Sequence, residues 1–343
     1  MKPKVSPSPA PATIQQIAQA TGVSLMTVSR ALNSKGLVAP ETERRILKVA
    51  GALRYRPNRL VRGLRTGQTG LIAAFFPADL GFYQPILRGV EKSLDAGGYF
   101  LLLNLIEQNQ GLEAMREELR RLHQCLDIRI EGLILRPVND DANAIYYREI
   151  MQRQIPFVVI DRELPDFHCD FVGSDNVEGG AEAARRLWAA GSRRLLVLFA
   201  GTRVSASRDR RQGFLNEAER AGAEVMAVDC HDWEPSVESL THVLKQPSVK
   251  KVDGIFAVSD VVAEKAWLAL HAMGRRCPQD VKIIGFGCSP REEGLKQRLA
   301  SFDQQPVDLG KEAARLLIER IKNPALPPRV LRMPTFFVPG DSL

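Results

Sequence analysis

Two groups of residues in this 343-residue chain have the types and spacing to do chemistry. The first is an outward row, Leu25, Met26, Ser29 and Arg30, in a segment with helical apolar spacing. Arg30 suits a guanine edge or a phosphate, while Leu25 and Met26 offer only apolar contact, for instance to a thymine methyl. The second group follows apolar, strand-like runs: Phe82 and Tyr83, then Arg136, then Asp161-Arg162. Aromatic rings can stack on the apolar face of a sugar while a hydroxyl contacts its rim. A charged residue at the exit of a buried strand is seldom packing, because burying it unpaired is costly. The competing readings are core packing for Phe82 and Tyr83, and pairing with Arg162 or a helix start for Asp161.

Other chemistries find no support. The chain has no G-x-G-x-x-G, no Walker A loop, no H-E-x-x-H and no nucleophile elbow. Five histidines (123, 168, 231, 242, 271) lack metal-ligand spacing. Five cysteines (125, 169, 230, 277, 288) form no C-x-x-C and leave one over in any disulfide scheme. No enzyme, metal or cofactor is expected. No run approaches the roughly 18 apolar residues of a membrane span, and Met1 to Ala12 lacks a secretory apolar region. A membrane partner is therefore not expected, and the cytoplasm, at the nucleoid, is the expected location.

Charge indicates which elements position the first group. Residues 1–70 hold twelve Lys and Arg against Glu41 and Glu43, a local charge of +10, while the remaining 273 residues carry 35 basic and 38 acidic groups. A small basic head on a near-neutral body suggests a polyanion-binding module; a merely solvated basic face is the alternative. Thr13 precedes apolar Ile14, Ile17 and Ala18 as an N-cap, and Thr21-Gly22 breaks that helix. Val23 packs between the flanking helices, and Ser24 caps a second helix through Leu32 with Val28, Ala31 and Leu32 on one face. This is the helix-turn-helix pattern, whose second helix enters a major groove. A third helix after Pro40 closes a small core with Ile46, Leu47, Ala50 and Leu53.

The spaced positions Thr13-Ile14, Ile17-Ala18, Gly22-Val23-Ser24, Thr27-Val28-Ser29-Arg30, Leu32-Asn33 and Tyr55-x-Pro57-Asn58 resemble the head of the lactose/galactose-repressor (LacI/GalR) family. The resemblance implies that Leu25 and Met26 select operator bases and that Thr27, Ser29, Asn33 and Tyr55 position phosphates. With Thr13, Ser24, Arg30 and Asn58 they form the expected DNA-facing set. Gln15-Gln16 replaces the family's usual acidic residue. Residues 58–67 resemble the family's hinge, which becomes helical only on operator DNA, with Leu64 as the wedge inserted into a minor-groove step. Gly63 weakens that helix, so the free hinge is expected to be disordered.

From Gly70, apolar runs alternate with amphipathic stretches. The runs are 71–76, 100–103, 132–135, 157–160, 195–199, 225–228, 254–258 and 281–285, with a last one at 335–338. Helical patterns include 85–96, 181–190, 209–221, 263–273 and 309–321. Alternation of this kind implies parallel sheets covered on both faces, and about eight strands fit two open sheets better than one. The expected fold is therefore an all-α helix-turn-helix headpiece plus an α/β core of two doubly wound parallel-sheet subdomains. The resemblance makes that core periplasmic-binding-protein-like, with crossings near 172, 302 and 331. The expected organisation is a disordered tail at 1–12, headpiece 13–56, hinge 57–69 and core 70–343. Within the core, one subdomain takes 70–172 and 303–331, and the other 173–302 and 332–343.

Ligands of open α/β sheets bind at the carboxyl ends of the strands. There the resemblance adds Asp175, before Asn176, and Arg210 in an Arg-x-x-Gly-aromatic motif, whose fork grips hydroxyls or a carboxylate. Arg208 is expected to be solvated. Trp233, Ser259 and Phe286 match further cleft positions. The family often has Asn-Asp where Ser259-Asp260 stands, and Gly285-Phe286-Gly287-Cys288 replaces a Gly-aromatic-Asp-Asp pattern whose aspartate commonly binds neutral-sugar hydroxyls. A cleft with Arg136, Arg162 and Arg210 and one carboxylate fewer favours an anion, a sugar acid such as gluconate or 2-ketogluconate. A neutral sugar, a phosphorylated sugar, a purine or a protein partner remains as an alternative effector, and a solute-binding protein for uptake as an alternative role. The expected partners are double-stranded operator DNA, the small-molecule effector and a second copy of the chain. With no heptad repeat before Leu343, a dimer is expected rather than a tail-tethered tetramer.

Overall fold

The structure, a computed structural model, describes residues 12–32, 38–56, 63, 68–78, 81–107, 112–137, 144–164, 167–200, 204–231, 234–288 and 298–343. The chain divides into two compact units, Met1–Thr69 and Gly70–Leu343.

The first unit holds helices α1 (Ile14–Thr21), α2 (Leu25–Leu32) and α3 (Pro40–Ala52). Ile17, Val28, Ala31, Ile46 and Ala50 are buried together, and Ile14, Val23, Leu32 and Tyr55 pack against them. Thr13 caps α1 in a capping box: its hydroxyl accepts from Gln16 N at 3.3 Å, and Gln16 Oε1 accepts from Thr13 N at 2.8 Å. The amide of Gln16 thus fills the role a carboxylate takes in such boxes. Gly22 ends the helix at φ 69°, the left-handed region that costs glycine least. Leu47 and Leu53, expected in this core, are exposed instead. Of α3, Ile46 and Ala50 lie one turn apart on the packed face, and Leu47 and Leu53 fall outside that stripe.

The second unit has two lobes. In the first, β1 (Leu71–Pro77), β2 (Phe100–Ile106), β3 (Gly132–Leu135), β4 (Phe157–Ile160), β5 (Asp170–Ser174) and β11 (Val330–Met333) form one parallel sheet, ordered β11-β5-β4-β3-β1-β2. Alternate residues serve opposite faces. Ile72, Ala74, Ile134, Val158 and Ile160 meet α4 (Tyr83–Ala96) and α11 (Pro306–Lys322). Ala73, Phe75, Leu133 and Val159 meet α5 (Leu112–Asp127) and α6 (Ala144–Gln152). In the second lobe, β6 (Arg194–Phe199), β7 (Glu224–Asp229), β8 (Gly254–Ala257) and β9 (Lys282–Ile284) make a parallel sheet ordered β7-β6-β8-β9. Helices α7 (Asn176–Ala189) and α8 (Ser205–Arg220) cover one face, and α9 (Val237–Lys245) and α10 (Asp260–Ala272) the other. A short antiparallel pair, β10 (Ser301–Asp303) with β12 (Phe336–Val338), completes it.

Strands β5, β10 and β11 do not stand out as apolar runs. In β5 the first residue is a buried aspartate, Asp170, and only Phe171 and Val172 are large and apolar. The strand is held by ion pairing: Arg320 of α11 grips Asp170 through Nε and Nη2, both at 3.0 Å, and Arg329 N donates to it at 2.9 Å.

Each lobe brings two helix backbones together at glycines. A Cβ on Gly180 of α7 would stand 2.0 Å from the Arg210 carbonyl oxygen, and one on Gly213 of α8 1.9 Å from that of Val177. Gly89 of α4 and Gly310 of α11 play the same part in the first lobe. The α7–α8 contact brings Arg210 within hydrogen-bond reach of Asn176. Gly180→Ala should therefore lower the unfolding free energy by about 1–3 kcal/mol, the usual cost of overpacking, measured by urea titration.

Candidate functional site

In the first unit α2 is capped by Ser24, whose Oγ accepts from Thr27 N at 3.1 Å and lies 2.9 Å from Thr27 Oγ1. Val28 and Ala31 are buried in the three-helix core, so the opposite side of α2 faces outward. Leu25 is 47% and Met26 63% exposed, and Arg30 is exposed beside them. Two large apolar side chains thus stand out from a capped helix with an exposed arginine beside them. Thr27, Ser29 and Tyr55 are half-buried on the same unit. Asn33, Asn58, Leu64 and Trp233 lie outside the described residues, as does most of the expected hinge.

In the core, the ends of the first-lobe strands build one cluster. Arg136 follows β3 directly, and its N donates to Phe75 O at 3.0 Å, extending the strand pairing by one residue. Asp161 follows β4 at φ 69°, its N bonded to Val172 O at 3.0 Å. Tyr83 opens α4, in edge contact with Phe82 (centroids 5.4 Å apart) and Phe76 (5.8 Å). The Tyr83 hydroxyl donates to Asp161 Oδ2 at 2.8 Å and accepts from Arg136 Nε at 2.8 Å, while Arg136 Nε lies 3.7 Å from Asp161 Oδ2. Both roles of that hydroxyl are thus taken within the protein. Burial pushes the Tyr83 phenol up to about 12, with Arg136 opposing and Asp161 adding to the rise. The buried Arg162 lies close enough to act on Tyr83 electrostatically.

Arg210 of α8 projects from the second lobe. Its Nε donates to Asn176 Oδ1, Nη1 to Val258 O and Nη2 to Gln304 Oε1, each at 2.8 Å. The guanidinium stacks on the Phe286 ring, 3.9 Å from its centroid. Phe286 is itself buried against Phe302 and serves as a floor under the arginine. Burial pulls the Arg210 group down to about 10, against the upward pull of Asp161, Tyr83, Asp260 and Asp209, so it keeps its charge at neutral pH. Arg136, Arg162 and Arg210 are 3%, 7% and 5% exposed.

The remaining expected residues serve helix starts. Asp175 caps α7 through Oδ1, which accepts from Glu178 N at 3.1 Å, and Ser259 caps α10 through Oγ, which accepts from Val262 N at 3.4 Å. Arg208 is exposed and paired with Asp209 at 3.0 Å.

The strand-end reading does not reach Gln304, Ser174 or the Asn176 contact. Gln304 Oε1 accepts from Arg210 Nη2 and from Ser174 Oγ at 3.0 Å. Gln304 and Ser174 stand where the chain passes between lobes, and Gln305 Nε2 donates to Pro334 O at 2.8 Å across the third passage. The signal for Gln304 is a polar run between a strand and a proline-initiated helix, Asp303-Gln304-Gln305-Pro306.

This architecture has counterparts. Residues 13–58 match the model of bacterial regulatory proteins of the lacI family, and residues 184–343 that of a periplasmic binding protein-like domain. A ribose operon repressor of Halalkalibacterium halodurans is 32% identical over 330 residues, 95% of each chain. The chain belongs to the LacI family.

Among solved structures, the Lac repressor dimer bound to operator and an anti-inducer shares the fold at 21% identity, with a TM-score of 0.83 over 97% of this chain and 99% of that one. The transcriptional regulator CelR in complex with cellobiose matches at 26% identity, with a TM-score of 0.71 over 97% and 100%. This LacI-family member is thus a DNA-binding repressor with a helix-turn-helix headpiece and a two-lobed α/β core.

Its cleft network has a direct stability consequence. Gln304→Leu removes the acceptor shared by Arg210 and Ser174, at about 1–3 kcal/mol for each buried donor left unmet. The expected loss in a urea titration is about 2–5 kcal/mol, whereas Arg208→Gln at the exposed pair should stay within about 0.5 kcal/mol.

Proposed function

We propose that this repressor is controlled by a sugar acid bound between its two lobes. Two copies read a near-palindromic operator in the nucleoid, one headpiece per half-site. Leu25 and Met26 address base edges, Thr13, Ser24, Thr27, Ser29, Arg30, Asn33, Tyr55 and Asn58 address the backbone, and Leu64 wedges the minor groove. The ligand favours one lobe geometry, which realigns the hinges and releases the operator; only differential affinity for the two geometries can do this. A dimer is supported by β2, the terminal strand of its sheet, which leaves Phe100, Leu102 and Leu103 exposed in an apolar row.

The acid class rests on one observation, the three buried guanidinium groups at the strand ends and at Arg210. Arg136, Arg162 and Arg210 are buried near Asp161, Asp209 and Asp260, and every described hydrogen bond of Arg210 ends on an uncharged oxygen. A ligand carboxylate accepts from guanidinium N–H groups in charge-assisted hydrogen bonds. The second reading is a neutral pentose, favoured by the name of the 32% identical relative, a ribose operon repressor.

Calorimetry on the full chain separates the two. D-gluconate, 2-keto-D-gluconate or D-ribonate should bind at least about tenfold more tightly than D-ribose or cellobiose, a difference of about 1.4 kcal/mol. Tight ribose binding with no acid binding selects the pentose. Operator affinity should fall steeply and linearly in a log–log plot against salt, as phosphate contacts release counterions. The repressor reading fails if the protein binds no DNA sequence in preference to another.

A further inference from the structure

We propose that Arg136 is the residue that selects the acid group, receiving the ligand carboxylate at its Nη1 edge. This rests on the reading that a sugar acid occupies the cleft.

The side chain is 3% exposed and fixed at both ends. Its backbone N is paired with Phe75 O, and its Nε donates to the Tyr83 hydroxyl at 2.8 Å. The guanidinium carbon lies 5.0 Å from the centre of the Tyr83 ring. Against this constraint, Nη1 is buried and has no hydrogen-bond partner. Buried donors are almost always paired, and a charged one left alone is the costliest kind. An orphaned N–H on a guanidinium this well held belongs with a group that is added later.

The chemistry of that group follows from what Arg136 already has. Its nearest carboxylate is Asp161, at 3.7 Å, and the oxygen it approaches is the one that takes the Tyr83 proton. The charge is therefore only partly compensated, and Nη1 calls for an acceptor with charge of its own. A carboxylate meets this without bringing a donor that needs a partner, whereas a hydroxyl brings its own proton. Arg210 is less suited to the acid group, because three of its donor directions already end on Asn176, Val258 and Gln304. Its remaining N–H groups fit ligand hydroxyls. The Tyr83–Asp161 pair positions Arg136: the phenol holds Nε, and the aspartate fixes the phenol's orientation.

The test is calorimetric titration of D-ribonate and D-ribose, a matched acid and neutral sugar, with D-gluconate and 2-keto-D-gluconate alongside. The proteins are the wild type, Arg136→Gln, Arg136→Lys and the exposed control Arg208→Gln. Operator affinity without ligand, within about threefold of wild type, certifies each fold. The expected result is a loss of about tenfold or more in acid affinity for Arg136→Gln, the size of one charge-assisted contact. Arg136→Lys should keep part of the affinity, and ribose binding and the control should be unchanged. If Arg136→Gln fails the fold check, Arg136→Lys decides: a loss of acid affinity supports the assignment and wild-type affinity overturns it. Equal acid binding by wild type and Arg136→Gln overturns the role of Arg136 and leaves the sugar-acid reading standing. A wild type that binds none of the acids overturns that reading and this inference together.

Discussion

The core depends on one oxygen with two donors. Gln304 Oε1 takes a hydrogen bond from Ser174, at the end of β5, and another from Arg210, in the second lobe. Two of the three passages between lobes are thereby tied to the same arginine, and Gln305 reaches the third through Pro334. Further constraints serve that knot. Gly180 and Gly213 let α7 and α8 approach backbone to backbone, which brings Arg210 within reach of Asn176 and Gln304. Phe286 supports the guanidinium from beneath. A ligand that changes the contacts of Arg210 acts directly on the segments where the lobes join. In a close-packed interior such a change moves whole elements, because packed cores switch between arrangements and do not deform smoothly.

The cleft holds its positive charge at a cost. Burial pulls Arg210 down to about 10, and Asp161, Tyr83, Asp260 and Asp209 oppose that pull. Only neutral oxygens touch the group in the described network. Tyr83 bridges Arg136 to Asp161 with a phenol that stays protonated to about 12, so its own proton stays in place at neutral pH. These hydrogen bonds hold both guanidinium groups in place, which reduces the ordering that any binding at them must impose.

What could be read from the amino-acid sequence follows the range of the forces involved. The headpiece was legible because its signals are local: the Thr13 cap, the turn at Gly22 and the Ser24 cap act within four residues. Strands such as β1, β3, β4 and β8 were legible as apolar runs buried on both faces. Strand β5 was not, since its Asp170 is satisfied by Arg320, 150 residues further along the chain. Arg136 and Asp161 were findable because a charge at the exit of a buried strand is too costly to leave without a partner or a ligand. Gln304 was not, because an amide gains its meaning only from the Arg210 and Ser174 groups that folding brings to it. Leu47 and Leu53 failed in the opposite sense, as apolar residues of a helix whose packed face is narrower than its composition suggests.

The claim that the Gln304 knot transmits ligand binding is tested most directly by operator affinity with and without saturating sugar acid, in the wild type and in Ser174→Ala. Fluorescence anisotropy of a labelled operator provides both affinities. In the wild type the ligand should change operator affinity about 5- to 150-fold, the usual span of coupling between sites. Ser174→Ala removes one leg of the knot, so it should still bind acid and operator while the factor falls towards one. An unchanged factor in Ser174→Ala would contradict the account.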